Sequence, residues 1–210
     1  MARPKSEFLS AWGQAFEIWK ALTDAVLSRG GNDDHLRRIK TDKNLLKKIV
    51  DLILETEKNI FTLRIGDSRT TEDVVAAGKY DWTNDLIKNQ NFPMRPRFEG
   101  MVEIEFLEFD YGPTSEQVFA EAKRRNKLST GYTLERPQHE DALLFGEQHP
   151  EEQRKNPIVF LHVPWQDFDS GSSVIVLRES ASGRDLELDW FDSGRWGRGC
   201  RFAFVRKSRS

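Results

Sequence analysis

The sequence has a single cysteine and no long hydrophobic run. Because Cys200 is the one cysteine among 210 residues, an internal disulfide is excluded. No stretch reaches the roughly 18 apolar residues of a membrane-spanning helix. The N-terminus also lacks the apolar core of about 7 to 15 residues that secretory signal peptides carry. We therefore expect a chain with no membrane partner in a reducing, cytoplasmic compartment.

The chain also lacks an excess of charge of either sign. Its 32 basic and 34 acidic residues give a formal net charge of −2. A balance this close creates no overall field that would attract nucleic acid or an anionic membrane. The sequence contains neither a P-loop nor a Gly-x-Gly-x-x-Gly motif, so nothing in it indicates nucleotide chemistry.

No recognisable catalytic or metal-binding spacing occurs. Imidazole and carboxylate groups suit zinc or iron, but their spacing here matches no known metal-binding helix. His162 lies in an apolar run, where a hydrogen-bonded core histidine is expected rather than a catalytic base. Arg198 and Arg201 could lower the pKa of Cys200, yet no His or Asp motif adjoins it, so we expect a packed thiol. We predict no metal, no cofactor and no enzymatic activity. The candidate ligands are His139, Glu140, His149, Glu151, Glu152 and His162.

Aromatic residues are abundant, with 6 Trp and 14 Phe. Near the N-terminus, apolar side chains recur every three or four positions, which predicts one helix ending at Gly30 and Gly31. We expect this stripe to pack in a helical layer; a groove for a partner helix or lipid is the alternative. After a short helical turn that ends at about Ile39, a third helix is predicted over about 45–57. The stripe consists of Phe8, Trp12, Phe16, Trp19, Leu22 and Val26.

The C-terminal third has the pattern of short strands separated by polar turns. Residues 158–163 are a continuous apolar run between two prolines, typical of a strand buried on both faces. Residues 101–109 predict another strand. Its apolar residues point to both faces of the sheet, so either a bulge or burial of both faces is expected near Phe106. Alternation in the last strands predicts one shared buried cluster. Its members are Leu186, Leu188, Trp190, Phe202 and Phe204.

The order of the predicted elements divides the chain into two parts. Residues 1–98 are predicted to be mostly helical, and the proline-rich stretch 93–97 is the predicted linker. In residues 99–210 the order is strand, helix, helix, and then four or more antiparallel strands. We predict an α+β protein, in which a helical N-terminal part precedes a domain with a C-terminal antiparallel sheet.

The second part resembles a C-type-lectin-like domain in this order of elements. Its ending, with Trp190-Phe191, Trp196 and Cys200-Arg201-Phe202, is similar to the last strand of the bacterial branch of that fold. The branch includes formylglycine-generating-enzyme-like proteins and the variable proteins of diversity-generating retroelements. Uncharacterised small bacterial proteins have a similar ending. The resemblance covers about residues 100–210 and implies a C-type-lectin-like domain there.

The resemblance implies binding without catalysis. Sugar-binding C-type lectins form a calcium site from Glu-Pro-Asn or Gln-Pro-Asp and Trp-Asn-Asp triplets, which are missing here. The copper-binding cysteine pair of formylglycine-generating enzymes is missing too, since Cys200 is alone. Retroelement variable proteins diversify polar residues of their terminal loops, and residues 165–201 are rich in such residues. We expect a non-catalytic module that binds a protein or another ligand through this loop surface. The predicted binding residues are Trp165, Asp167, Asp169, Arg178, Arg184, Asp192, Arg195, Trp196 and Arg198.

The basic C-terminus supports an alternative hypothesis, nucleic-acid binding. No acidic residue follows Asp192, and basic residues alternate there with Trp196, Phe202 and Phe204. Arginine can bind phosphates and an exposed tryptophan can stack on a base. Against this, the two phenylalanines lie in a strand phase that is expected to be buried. The basic residues are Arg195, Arg198, Arg201, Arg206, Lys207 and Arg209.

Overall fold

The structure is a computed structural model. It describes residues 5–47, 49, 59–66, 68–95, 97–166, 171–191 and 194–209. The chain separates into two compact units, Met1–Lys58 and Asn59–Ser210. Among the described residues, no helix combines the length and the apolarity that crossing a bilayer requires.

The first unit is helical where it is described. Helix α1 spans Lys5–Leu27 and α2 spans Asp33–Thr41. Gly30 has φ +78°, a backbone conformation that suits glycine at a helix end. Residues 43–47 and 49 are also helical, and the rest of the predicted third helix lies outside the described residues. The side chains of the stripe residues Phe8 and Trp12 also lie outside them.

The second unit contains a nine-stranded mixed sheet, counted over the described residues. Its strand order is β1-β3-β9-β5-β7-β8-β2, with β4 paired to β9 and β6 paired to β7. The strands are β1 Ile60–Ile65, β2 Trp82–Thr83, β3 Gly100–Glu108, β4 Tyr132–Glu135, β5 Ile158–Val159, β6 Trp165–Gln166, β7 Ser172–Ser180, β8 Gly183–Trp190 and β9 Arg201–Ser208. The helices are α3 Thr71–Gly78, α4 Ser115–Leu128, α5 His139–Gln148 and α6 Glu152–Lys155.

The sheet divides beyond the end of β5. One side of β9 pairs with β3; the other side pairs with β5 at residues 201–202 and with β4 at residues 205–208. In the same way, β7 has β8 on one side, and on the other side β5 at residues 176–177 and β6 at residues 172–173. Therefore β5 joins β9 to β7, and past it the two strands carry separate partners.

Each face of the sheet has its own core. Helices α3 and α5 contribute to the first core cluster, while α4 contributes to the second. The first core cluster includes Leu63, Val74, Phe92, Phe106, Phe145, Ile175, Leu177 and Leu186. The second core cluster includes Leu107, Val118, Ala122, Val174, Val176, Trp196, Phe202 and Phe204. Burial on both faces explains the strand around Phe106, because all four residues from Ile104 to Leu107 are buried.

The prediction of one shared C-terminal cluster is wrong. Leu186 belongs to the first core cluster, whereas Phe202 and Phe204 belong to the second. Because β5 and β7 lie between β8 and β9, these residues are not on adjacent strands. Trp190 is the last residue of β8 and remains 59% exposed.

The chain does not divide at the predicted boundary between residues 98 and 99. Strand β1 pairs with β3 along its whole length, from Ile60 opposite Glu105 to Ile65 opposite Gly100. The predicted linker is held by ion pairs, since Arg95 donates to a carboxylate in α5 and so does Arg97. The division lies instead between Lys58 and Asn59.

Candidate functional site

A cleft of about 390 Å³ lies where the sheet divides, beyond the carboxyl end of β5. Its walls come from the segment before α5, the connection between β5 and β6, and the loop that precedes β3. We call it the sheet cleft. Its main lining residues are Phe92, Arg95, Gln138, His139, His162, Val163 and Trp165.

The chain leaves the sheet near His162, and the His162 side chain accepts a hydrogen bond that a backbone carbonyl of a paired strand would otherwise accept. The backbone N–H of Phe160 still donates to Ile175 O at 3.1 Å. The backbone N–H of Ile175 in β7 has a side chain as its acceptor, because it donates to His162 Nε2 at 3.0 Å. Nδ1 therefore carries the proton and donates to Val163 O at 2.7 Å. Burial lowers the pKa of His162 to about 4, so the ring is neutral at pH 7.

Arg136 bridges the gap behind the cleft. It directly follows β4, and its Nε and Nη2 donate to Leu161 O at 2.6 Å and His162 O at 2.7 Å. The guanidinium lies 4.9 Å from the ring centroid of Phe119 and 5.6 Å from that of Phe191. Arg136 thus replaces the strand hydrogen bonds that are lost where the sheet divides.

Phe92 is the centre of the aromatic wall. Its ring centroid lies 5.7 Å from that of Trp165, 5.7 Å from that of His139 and 6.1 Å from that of His162. The hydroxyl of Thr71 donates to the carbonyl oxygen of Phe92 and ties the loop to α3. These contacts fix Trp165 at one end of the cleft.

The charged groups beside the cleft are paired with each other. Arg95 donates through Nε and Nη2 to both carboxylate oxygens of Glu140, at 2.6 and 2.9 Å. Arg97 donates to Asp141 at 2.5 Å. Burial alone would raise the pKa of Glu140, but the hydrogen bond from Arg95 and the charge of His139 outweigh it and lower that pKa. Glu140 is therefore held as a carboxylate, and each of the two acidic side chains is paired with an arginine.

His139 is held by its neighbours as well. Its Nε2–H donates to Pro93 O at 2.9 Å, and Nδ1 lies 3.5 Å from Glu140 Oε2. Burial lowers the pKa of His139. His139 therefore lines the cleft with both of its ring nitrogens already facing protein atoms.

Two predicted binding residues are buried, which corrects their place on an exposed surface. Arg184 donates to Gly78 O at 2.6 Å, to Gly146 O at 2.7 Å and to Gln153 Oε1 at 3.1 Å. The indole N–H of Trp196 donates to the hydroxyl of Ser115 at 3.0 Å inside the second core cluster. Both side chains hold loops and helices together.

Of the other predicted residues that the structure describes, Trp165 lines the sheet cleft, whereas Arg178, Arg195 and Arg198 lie outside it. Arg178 pairs with two carboxylates of β8, at 2.7 and 3.0 Å, on the opposite face of the sheet from Trp165. Arg195 is exposed and donates to a loop carbonyl, and Arg198 is exposed. Asp167, Asp169 and Asp192 lie outside the described residues.

Sequence reasoning missed most of the cleft. Arg95 was predicted to lie in a linker, and His139 was considered as a metal ligand. The available signal was the pair of adjacent acidic residues, Glu140 and Asp141, at the start of an otherwise apolar helix, together with two arginines in 93–97. Buried carboxylates need such partners.

A second, larger depression of about 520 Å³ lies beside the end of β1. Its ionic groups are paired: Arg64 lies 2.6 Å from Glu99, and Arg69 lies 2.7 Å from Glu147. It contains no exposed aromatic side chain among its lining residues.

Three of the C-terminal basic residues face carboxylates. Arg201 is buried and donates to Glu152 at 3.0 Å, Lys207 lies 3.5 Å from Glu135, and Arg206 lies between two glutamates of β3 at 3.7 and 3.8 Å. Their charges are therefore largely balanced inside the protein.

Comparisons with protein-family models, curated proteins and solved structures found no match for this chain.

Proposed function

We propose that the chain is a non-catalytic binding module and that its binding site is the sheet cleft. One observation carries the proposal: the cleft presents Trp165 and Val163, a residue that is 75% exposed, beside ionic groups that are already paired. Exposed apolar and aromatic surface next to satisfied polar groups is the composition expected of a binding pocket.

The position of the cleft supports the same function. It lies at the carboxyl end of β5, a strand that runs parallel to β9, and open α/β sheets bind ligands at such ends, in the crevice where neighbouring strands diverge. Its volume of about 390 Å³ falls within the roughly 300 to 1,000 Å³ of ligand pockets.

The hydrogen bonding of the titratable groups supports binding without catalysis. A general base needs a free lone pair within reach of its substrate. Both nitrogens of His162 are engaged, His139 faces protein atoms on both sides, and Glu140 is held by Arg95. Burial raises the pKa of Cys200, which opposes formation of a nucleophilic thiolate.

The C-type-lectin-like domain is part of the proposal. It is supported by the elements β3, α4 and α5, a strand and two helices with only the short β4 between the helices, and by the antiparallel pair β7 and β8 that follows them. On this proposal, the partner is a protein or peptide recognised by a loop surface, as in the retroelement variable proteins.

Phage-displayed random peptides test the proposal on the full chain. Peptides enriched on the parent protein should lose about tenfold or more in affinity on Val163→Glu, because a charge then replaces apolar contact surface. Leu128→Glu is the matched control, since Leu128 is also exposed but lies at the end of α4, outside the cleft. Peptides should bind this control as they bind the parent.

Two results would contradict the proposal. One is the absence of peptides that distinguish the parent from Val163→Glu. The other is tight binding of generic single-stranded oligonucleotides that collapses between about 50 and 200 mM salt, which would establish nucleic-acid binding instead.

A further inference from the structure

Three residues form a row across neighbouring strands at the end of the sheet. Trp165 on β6 is opposite Ser173 on β7, and Ser173 is opposite Trp190 on β8. Side chains of directly opposed residues lie on the same face. The row therefore has a tryptophan at each end and a small residue between them. We call it the Trp165–Trp190 row.

The Trp165–Trp190 row lies on the same face of the sheet as the first core cluster, at the end of that face nearest to solvent. Ile175 and Leu188 form the next pair along the same face and are part of that cluster or pack against it. Trp190 is placed by Gly171, because a Cβ on that glycine would lie 2.6 Å from Trp190 Cζ3. The indole thus lies over the glycine backbone while 59% of its residue surface remains exposed.

Resting on the proposed function, we propose that the ligand of the sheet cleft is a proline-rich segment in the polyproline II conformation, which extends from Trp165 across Ser173 to Trp190. The spacing carries the proposal. Two strand separations place the tryptophan backbones about 9.5 Å apart. One turn of polyproline II, three residues with a rise of 3.1 Å, is about 9.3 Å long. Prolines at positions i and i+3 would therefore match the spacing of the two tryptophan positions.

Hydrogen-bonding capacity matches this ligand. Among the described residues, the indole N–H groups of Trp165 and Trp190 have no hydrogen-bond acceptor, whereas that of Trp196 is bonded to Ser115. A polyproline II segment makes no internal hydrogen bonds, so its carbonyl oxygens are free to accept from these two donors.

Charge complementarity favours the same ligand. The ions beside the cleft neutralise each other, Arg95 with Glu140 and Arg97 with Asp141. A ligand that brought a charge to this surface would find no unpaired counter-ion among these four groups. At the Trp165 end of the row, uncharged proline rings and backbone carbonyls therefore match ionic groups that are already paired.

The test uses two pools of fluorescent peptides and the full-length protein. In one pool two prolines are three positions apart, and in the other they are two positions apart, with the remaining positions randomised. The first pool should bind at least about tenfold more tightly, and Trp190→Ser and Ser173→Glu should each remove that preference. The two variants alter different strands, so that a folding defect in one leaves the other informative.

Trp82→Ala is the matched control. Trp82 is also an exposed tryptophan, but it pairs with Asp185 and therefore lies on the opposite face of the sheet from Trp190. This variant should bind both pools as the parent does. In NMR spectra, addition of the first pool should shift the indole N–H signals of Trp165 and Trp190 and leave that of Trp82 unchanged.

The outcomes separate the two proposals. Binding that depends on Val163 but is unaffected by Trp190→Ser, Ser173→Glu or proline spacing would overturn the polyproline inference and leave the cleft as the binding site. Binding that depends on neither Val163 nor Trp190 would overturn both. Loss of the spacing preference in Trp82→Ala would also overturn the inference, because the effect would not be specific to the row.

Discussion

At the scale of single residues, buried polar side chains fix the loops of the second unit. Arg184 is the clearest case, since its guanidinium donates to Gly78 O, Gly146 O and Gln153 Oε1 while it lies 4.8 Å from the Tyr80 ring centroid. One side chain thus joins α3, α5 and α6 to β8. An arginine at the start of a strand carries no sequence signal for this role, because the acceptors come from distant parts of the chain.

Replacing Arg184 by alanine should destabilise the protein by roughly 2 to 4 kcal/mol, because buried carbonyl acceptors at Gly78 and Gly146 lose their donor. Urea unfolding monitored by tryptophan fluorescence measures the effect. Arg198→Ala is the control: Arg198 is exposed, and its loss should change the free energy of unfolding by less than about 0.5 kcal/mol. Equal stability of the two variants would contradict the buried role of Arg184.

His162 makes stability depend on pH. In the unfolded chain it binds a proton near pH 6.5, whereas in the folded protein burial lowers its pKa to about 4. Between these values the unfolded state binds more protons, so the contribution is complete above about pH 6.5 and is lost as the pH falls. From pH 7 to pH 5 the parent should lose about 2 kcal/mol more than His162→Gln, which cannot be charged.

Urea unfolding of both proteins at the two pH values checks this prediction. Carboxylate contributions are common to the two proteins and cancel in the comparison. The same pH dependence in the parent and His162→Gln would show that His162 is not buried in a neutral form. The sequence did predict a hydrogen-bonded core histidine here, because the flanking run is apolar, but the acceptor role toward β7 depends on a register that only the fold defines.

At the scale of elements, the outer edge of β1 is covered by side chains. Gln148 accepts from the backbone N–H of Arg64 and donates to its carbonyl oxygen, both at 2.9 Å. His149 donates to Thr62 O at 2.8 Å. Side chains from the end of α5 thus make hydrogen bonds to β1 that a neighbouring strand would otherwise make. They protect an edge that could otherwise pair with another chain.

Gln148→Ala should speed hydrogen exchange of the Arg64 amide by roughly threefold to tenfold, as the loss of one hydrogen bond predicts. The Leu63 amide faces β3 and is the internal reference, because its exchange should not change. NMR-detected exchange resolves the two amides. Equal acceleration at both positions would indicate loosening of the whole strand instead of an uncovered edge.

Local patterns predicted several elements well. Thr114 and Gln117 form the capping box that begins α4, and alternation identified β8 and β9 as strands. What alternation could not give is the order of strands in the sheet. It assigns Phe202 to one of two faces, but only the placement of β5 and β7 between β8 and β9 puts it in the second core cluster while Leu186 enters the first.

The same limit explains the candidate site. Trp165 was predicted as a binding residue of the loop surface 165–201, and the sheet cleft contains it. Trp190 was predicted to be buried because it lies in the same alternation phase as Leu186 and Leu188. Its exposure depends on where β8 ends relative to the core, and this length is a property of the assembled sheet.

At the scale of the whole molecule, the strands and both core clusters come from one continuous segment. All described strand pairs lie within residues 59–210, and so do the members of the two clusters. The pairing of β1 with β3 makes residues 60–65 part of this unit. A chain of about 150 residues buries roughly 70% of its surface on folding, which is enough for independent stability.

A fragment of residues 59–210 should therefore fold alone. Its thermal midpoint should lie within about 4 °C of that of the full chain, which corresponds to about 1 kcal/mol for a protein of this size. Differential scanning calorimetry of both proteins checks this, and the fragment should show one cooperative transition.

A fragment that starts at residue 99 is the contrasting case: it lacks β1 and its pairing with β3, and it also lacks Leu63, Val74 and Phe92 of the first core cluster. It should melt at least about 10 °C lower or fail to fold. If the two fragments melted alike, the unit would begin near residue 99, and β1 would not be an integral strand of the sheet.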